Sequence, residues 1–447
     1  MRASLRAFWG ALGASFLLVP AFAGPARADD DSAARGRELF ERVWQSSSAP
    51  HPASDGLGPL FNERSCVACH SLGGIGGAGP NDKNVELLTP SAAELSSSGP
   101  ADRFEKVHPG FATASTIVLH KFSTEREAYG EFRNRMLGLD PRIFHEPARQ
   151  QSAELAIFRG QGRVPNRAVK VGRVEFILSR RNTTPLFGLG LIDRIPDFEI
   201  NSVARQQARR GVVSGRFLGR FGWRGQVKNL DNFVRSACAT ELGLQLATHR
   251  QPINPVGKPE DPLVRRPFDI SAGECRDLTE FVARLPKPRR VLSDDRQQLV
   301  RIKNGEALFD TVGCAECHRP TLANVSGLYS DLLVHEMGPA LADAAPAPID
   351  PLLPSAAGYY ENVELANERR LVEARREWKT PPLWGLRDSA PYLHDGRAET
   401  VDEAIKLHGG EAQFAVHRYR ELPSPQRQNL LAFLETLAAP PKIASPR

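Results

Sequence analysis

The chain has 447 residues, 41% of them hydrophobic and 25% charged; that is enough apolar surface for packed cores and excludes both a disordered tail and a polytopic membrane protein. At roughly 150 residues per domain, the length suggests two or three domains. The formal charge is +6, but Arg2, Arg6 and Arg27 fall in the first 28 residues and leave +3 for the remainder, too little and too evenly spread to argue for a nucleic-acid partner.

In chain order, the first element is an address. Arg2 and Arg6 form a short basic stretch, residues 7–23 are largely apolar with a break at Pro20, and Ala26-Arg27-Ala28 precedes Asp29 and Asp30. That is the pattern of a secretory signal peptide cleaved near Ala28. The apolar run is shorter than the ~20 residues that span a bilayer comfortably, and no later segment is apolar enough to span. The expectation is a soluble exported protein, periplasmic and in an oxidising compartment.

A repeat follows. Leu60-Phe61 stands four residues before Cys66-Val67-Ala68-Cys69-His70, and Leu308-Phe309 stands four residues before Cys314-Ala315-Glu316-Cys317-His318. Each copy is followed much later by the pattern L-x-x-F-aliphatic-x-x-L, at Leu278 to Leu285 and at Leu430 to Leu437, closed by Pro286 and Pro440. Apolar residues at i, i+3, i+4 and i+7 mark a helix with one buried face. Each unit is therefore expected to open with a helix leading into a C-x-x-C-H and to close with a docking helix. The first unit is longer by about 96 residues, and short apolar runs between 110 and 195, such as Thr116 to Leu119 and Val174 to Leu178, predict a few strands there. Pro286 to Arg290 reads as a Pro-stiffened linker. The Ala- and Pro-rich segment 340–356 reads as a surface loop, and Gly73 to Gly77 as a flexible turn. These boundaries give a leader over 1–28, an N-terminal domain with an insertion over 29–287 and a C-terminal domain over 291–447.

C-x-x-C-H is the attachment site of c-type haem. Two thiols three positions apart each form a thioether to a porphyrin vinyl group, and the adjacent histidine supplies the proximal nitrogen to iron. A thioredoxin-like dithiol needs no following histidine, and a zinc site made of four cysteines leaves both histidines unexplained. The expected cofactors are two covalent haem c groups, held by Cys66, Cys69, Cys314 and Cys317, with His70 and His318 on the irons. No set of oxygen ligands at a recognisable spacing argues for calcium. The occupant of each sixth iron position then decides between electron transfer and the admission of peroxide or oxygen.

Thr380-Pro381-Pro382-Leu383-Trp384-Gly385-Leu386, followed by Ala390-Pro391-Tyr392-Leu393-His394-Asp395-Gly396, resembles the C-terminal domain of bacterial di-haem cytochrome c peroxidases and of the related enzyme that matures methylamine dehydrogenase. Gly56 to Asn62, Pro185 to Asp193 and His408 to Ala412 look like signatures of the di-haem oxidoreductase, or thiol oxidoreductase, group of that superfamily. The resemblance runs with gaps from about Gly56 to Leu437. It implies a mainly α fold of two cytochrome c-like domains, the first enlarged by an insertion containing short strands.

In the peroxidases the C-terminal haem takes its sixth ligand fourteen residues after the histidine of P-Y-F-H, and the same step from His394 reaches His408. The resemblance thus implies a bis-histidine centre of His318 and His408, with His335 and then Met337 as rival ligands. Phe221-Gly222-Trp223-Arg224-Gly225 resembles the family's F-W-D-G-R without its Asp, which implies Trp223 as an electron relay between the haems. Glu241-Leu242-Gly243 resembles the family's catalytic Glu-Met-Gly, which implies Glu241 as a general acid–base group toward peroxide. His108 and His120 are both available to cap the N-terminal iron. Asp395 and Arg397 fit either loop hydrogen bonds or a contact with a haem propionate. Cys238 and Cys275, in an exported protein, are expected to form a disulfide worth ~3–4 kcal/mol.

The implied activity is that of a haem-dependent oxidoreductase of peroxidase type. Electrons from a small periplasmic cytochrome c or cupredoxin enter at the C-terminal haem, and peroxide is reduced at the N-terminal one. The alternatives are a non-catalytic di-haem electron-transfer cytochrome and an oxygen-activating haem enzyme.

Overall fold

The computed structural model describes residues 26–46, 56–97, 99–139, 166–257, 267–343 and 375–441. The core of the expected signal peptide and most of the Ala/Pro-rich segment 340–356 lie outside these residues. The fold is mainly helical, with small antiparallel sheets. No helix among the described residues is long and apolar enough to cross a membrane.

Two helix pairs organise the chain. Helix α1 (Ala26–Glu41) crosses α3 (Ala272–Ala283), and α4 (Arg296–Val312) crosses α6 (Ser424–Leu434). Helix α3 starts with a capping box: Ser271 Oγ accepts from the Glu274 N–H at 3.1 Å, and Glu274 Oε2 accepts from the Ser271 N–H at 2.9 Å. Its Leu278, Phe281 and Val282 are buried, as are Leu430, Phe433 and Leu434 of α6. The two crossings are copies of each other. Phe40 meets Phe281 with ring centroids 5.2 Å apart, and Phe309 meets Phe433 at 5.4 Å. At each crossing one glycine lets the backbones touch. A Cβ on Gly36 would overlap the Asp277 carbonyl and come within 2.8 Å of the Phe281 Cβ; a Cβ on Gly305 would overlap the Asn429 carbonyl and come within 2.8 Å of the Phe433 Cβ.

This symmetry corrects the repeat. The partner of Gly305-x-x-Leu308-Phe309 is Gly36-x-x-Leu39-Phe40, not the Leu60-Phe61 pair. Leu60–Phe61 is not helical but forms strand β1, antiparallel to β4 (Phe122–Ser123). Only the second C-x-x-C-H is entered directly from its helix. In the first unit a connection of 24 residues separates α1 from Cys66.

The insertion carries a four-stranded antiparallel sheet in the order β3-β2-β6-β5, with β2 Val85–Pro90, β3 Ile117–Val118, β5 Arg167–Val171 and β6 Val174–Arg181. Its buried side chains (Leu88, Phe176, Leu178) pack with Tyr129, Phe132 and Met136 in a core separate from that of the helix pairs. The linker is partly structured, since Arg289–Arg290 pairs antiparallel with Leu437–Ala438 and ties it to the end of the second unit.

Candidate functional site: two cavities at the C-x-x-C-H turns

Helix α4 ends at Gly313, whose left-handed backbone turns the chain into Cys314. The His318 N–H then donates to the Cys314 carbonyl at 2.9 Å. His318 Nδ1 lies 3.0 Å from the Tyr329 carbonyl, so Nδ1 carries the hydrogen and Nε2 keeps its lone pair. His408, at the C-terminal end of helix α5 (Val401–Leu407), is held in the same way, with Nδ1 2.7 Å from the Ala404 carbonyl. The two ring centroids are 6.5 Å apart. Two metal–nitrogen bonds of ~2.0 Å plus ~1.2 Å from each nitrogen to its ring centre give roughly the same span, so one iron fits between the rings. Burial pushes His318 down to about 4 and lowers His408 as well, so both are neutral imidazoles able to ligate. Cys314, Cys317, His318, His408 and Phe309 line a cavity of about 270 Å³.

The rival ligands fare differently. His335 lines the same cavity, but its Nε2 is 2.9 Å from Asp331 Oδ2 and its Nδ1 is 2.8 Å from Glu411 Oε2. Burial opposes its charge, yet the hydrogen bonds to Asp331, Cys317 and Glu411 outweigh that and raise its pKa. Both nitrogens are spent, so His335 is not a ligand. Met337 also lines the cavity, in which a neutral imidazole already faces His318.

At the first motif, Ser65 Oγ caps the turn Cys66–Cys69 by accepting from the Ala68 N–H at 3.3 Å. His70 Nδ1 is 3.0 Å from the Gly77 carbonyl, so Nδ1 carries the hydrogen, and the Thr184 carbonyl also lies against the ring. Burial pushes His70 to about 4. Cys66, Cys69, His70, Phe40, Trp223 and Glu241 line a cavity of about 110 Å³. Glu241 sits at the end of α2 (Leu230–Leu242), and burial raises its carboxyl to about 7 against the opposing pull of the Asn62 hydrogen bond and of Lys121. Its Oε2 accepts from Asn62 Nδ2 at 2.6 Å, while Oε1 is buried with no partner among the described residues. His108 and His120 do not line this cavity. His108 Nδ1 accepts from the Gly110 N–H at 3.0 Å, and His120 Nε2 is 2.8 Å from the Thr240 carbonyl, so one ring nitrogen of each is bonded to the main chain.

Trp223 lines both cavities. Its Nε1–H donates to the Asn182 carbonyl at 2.8 Å, and its carbonyl accepts from the Lys379 N–H at 2.8 Å. It stands edge-on to His394, which is stacked on Trp378 at 3.6 Å.

Cys238 and Cys275 are free, buried thiols on α2 and α3, not a disulfide. Cys238 belongs to the wall of the first cavity, and a buried aliphatic-like thiol serves packing there. Arg397 Nε donates to Asp395 Oδ2 at 2.7 Å and its Nη1 to the Ala340 carbonyl at 2.6 Å, the loop hydrogen bonds of the first alternative.

The chemistry of the two walls fits haem. Burial pushes the Cys66, Cys69 and Cys314 thiols up to about 12, which keeps them as neutral thiols. The larger cavity also holds unmatched donors. Among the described residues, the buried Lys379 ammonium has no ion-pair partner, and its pKa is lowered to about 8 by burial. The buried Trp384 indole N–H has no acceptor. A buried cation without a counter-ion is costly, and a cofactor bearing carboxylates supplies what both donors lack. Lys379→Met should therefore raise the melting temperature of the haem-free protein while lowering the share of chains that acquire covalent haem at the C-terminal motif. Thermal melts and the covalent haem-to-protein ratio of the matured protein would measure the two effects, and an unchanged ratio would refute the fit.

Residues 282–437 match the family described as "Di-haem oxidoreductase, putative peroxidase". The C-terminal third is thus similar to a di-haem oxidoreductase domain. Over 164 residues the chain is 30% identical to the methylamine utilization protein MauG of Methylorubrum extorquens, covering 35% of this chain and 40% of that protein. Over 260 residues it is 21% identical to the cytochrome-c peroxidase IdrP1 of Pseudomonas sp. (strain SCT), covering 51% of this chain and 66% of that protein. A hydrazine synthase structure from Kuenenia stuttgartiensis overlays 58% of this chain and 73% of its own with a TM-score of 0.34 and 18% identity. The chain thus spans 40% and 66% of the two curated relatives. The matched residues contain α4, the second C-x-x-C-H, Lys379, Trp384, His394, His408 and α6.

Proposed function

We propose that the protein is an exported di-haem c-type peroxidase built from two cytochrome c-like domains. Electrons from a small periplasmic carrier, a cytochrome c or a cupredoxin, enter at the C-terminal motif, and hydrogen peroxide is reduced at the N-terminal one. The observation that carries this reading is the Glu241 carboxyl, with one oxygen unpartnered, in the wall of the cavity that also holds His70. Cys66, Cys69 and His70 would hold one haem, and Cys314, Cys317, His318 and His408 the other. When bound, the haems supply the redox chemistry, accepting electrons one at a time and passing two to each peroxide.

The chain's own residues move the protons and shape the site. Glu241 Oε1 takes a proton from the incoming peroxide and returns it to the oxygen that departs as water. Two electrons and two protons convert each peroxide into two waters. Trp223, in the wall of both cavities, offers an aromatic relay between them. The neutral His318–His408 pair suits a low-spin centre dedicated to electron entry.

Electron paramagnetic resonance of the holoprotein, oxidised and half-reduced, tests the assignment. One high-spin ferric signal beside one low-spin signal is expected, and two low-spin signals in both states would favour an electron carrier. His408→Ala should convert the low-spin centre to high-spin, and an unchanged spectrum would place the sixth ligand elsewhere.

A further inference from the structure

Asn62 follows β1 and is buried between two parts of the first unit. Its main-chain N–H donates to the Glu241 carbonyl at 2.8 Å, and its Nδ2 donates to Glu241 Oε2 at 2.6 Å. On the other side, its Oδ1 accepts from the main-chain N–H of Lys121 at 3.1 Å. That last bond determines which way the amide points. A main-chain N–H can only donate, so the atom facing Lys121 is the oxygen and the atom facing Glu241 is the NH2. An amide NH2 cannot accept, so a protonated Glu241 cannot direct its hydrogen at Asn62 from Oε2. The hydrogen belongs on Oε1, the oxygen with no partner.

We propose that Asn62 is a positioning residue that fixes the exchangeable proton of Glu241 on Oε1, the oxygen left for the substrate. The inserted segment supplies the brace. Residues 119–123 lead into β4, which pairs with β1; Lys121 orients the Asn62 amide, and His120 grips the Thr240 carbonyl beside Glu241. The insertion thus backs the reactive carboxyl by closing a contact 179 residues apart in sequence. The charged groups facing this corner are Lys121 and, around Cys69, the Lys83–Glu63 pair. The proposal rests on the acid–base reading of Glu241.

The test is infrared difference spectroscopy of the holoprotein across pH, which follows the C=O band of a protonated carboxyl group. Loss of the band in Glu241→Gln assigns it. A donor to a carboxylate favours the ionised form, so in Asn62→Leu the midpoint of this band should move up by about one pH unit or more. The band itself should shift to higher frequency as Oε2 loses its hydrogen bond. The acid limb of peroxide turnover should move up by the same amount. Should Asn62→Leu fail to take up haem, the isosteric Asn62→Asp carries the test, because it replaces the donor by an acceptor and should also raise the midpoint. A midpoint unmoved in the folded variant, with turnover lowered equally at every pH, would reduce Asn62 to a packing residue and overturn the proposal. A shifted midpoint with turnover untouched at every pH would keep Asn62 in its role and remove Glu241 from the chemistry.

Discussion

Replacing Glu241 with glutamine should lower peroxide turnover by about 10²–10⁴-fold, the usual worth of a positioned acid–base group, while leaving both haem spectra intact. Glutamine keeps the shape of the side chain and can still accept from Asn62 Nδ2, so the buried end of α2 should keep its packing. What it loses is the ability to carry a proton. Burial sets the carboxyl near 7, and the opposing Asn62 and Lys121 contributions keep it from rising further. The group works as a base first, so turnover should rise with pH through about 7 as Glu241 ionises. The residual activity of the variant should show no such rise. Stopped-flow turnover from pH 5 to 9 measures both, and wild-type rates in the variant would end the catalytic role of this residue.

Gly305→Ala should be among the most damaging single methyl additions outside the cavities. The added Cβ would overlap the Asn429 carbonyl, a main-chain group that cannot swing aside as a side chain would. The α4–α6 crossing must then open, and forced overpacking typically costs about 1–3 kcal/mol. For a unit of this size that corresponds to a fall in melting temperature of roughly 6–12 °C at the upper end of that cost. The same displacement moves Phe309, which packs on Phe433 and lines the larger cavity, so covalent haem incorporation at the second motif should fall as well. Gly36→Ala should reproduce the effect at the α1–α3 crossing. Gly273→Ala provides the contrast within α3, since its new methyl would meet only side-chain atoms at 3.7 Å or beyond. Its melting temperature should hold or rise slightly. Equal stability of all three variants would show that the crossings are looser than their geometry implies.

Much of the site was legible because its chemistry is local. Each C-x-x-C-H confines two thiols and an imidazole to one turn, so no tertiary information is needed to read it. The docking helices were equally plain, since L-x-x-F-aliphatic-x-x-L repeats at the helical period. The opening helix of the first unit was misassigned because Gly36-x-x-Leu39-Phe40 is separated from Cys66 by 25 residues, and a nearer Leu-Phe pair imitated it. The shared spacing from glycine to phenylalanine at 36–40 and 305–309 was the available signal.

His408 was reached by counting from His394, whereas excluding His335 required Asp331 and Glu411, which only the folded chain brings to its two nitrogens. Asn62 carried no signal of its own as an acid–base partner, for its role depends on a contact between distant segments. The sheet of the insertion was faintly legible in the alternation of β6, but its pairing order was not. The expected disulfide failed because compartment predicts oxidation in general and says nothing about where two thiols point.

The seam around Trp223 has a consequence for electron exchange. Its indole is bonded to Asn182, whose N–H donates to the His394 carbonyl at 2.7 Å and whose side chain donates to the Pro391 carbonyl at 2.6 Å, while Lys379 grips the Trp223 carbonyl. These bonds tie the partition to both units at once. Breathing of one unit against the other therefore cannot thicken the partition without breaking several buried hydrogen bonds together. Tunnelling rates fall steeply with distance, so under the proposed relay role of Trp223 a barrier pinned from both sides would keep the transfer time between the cavities narrowly distributed.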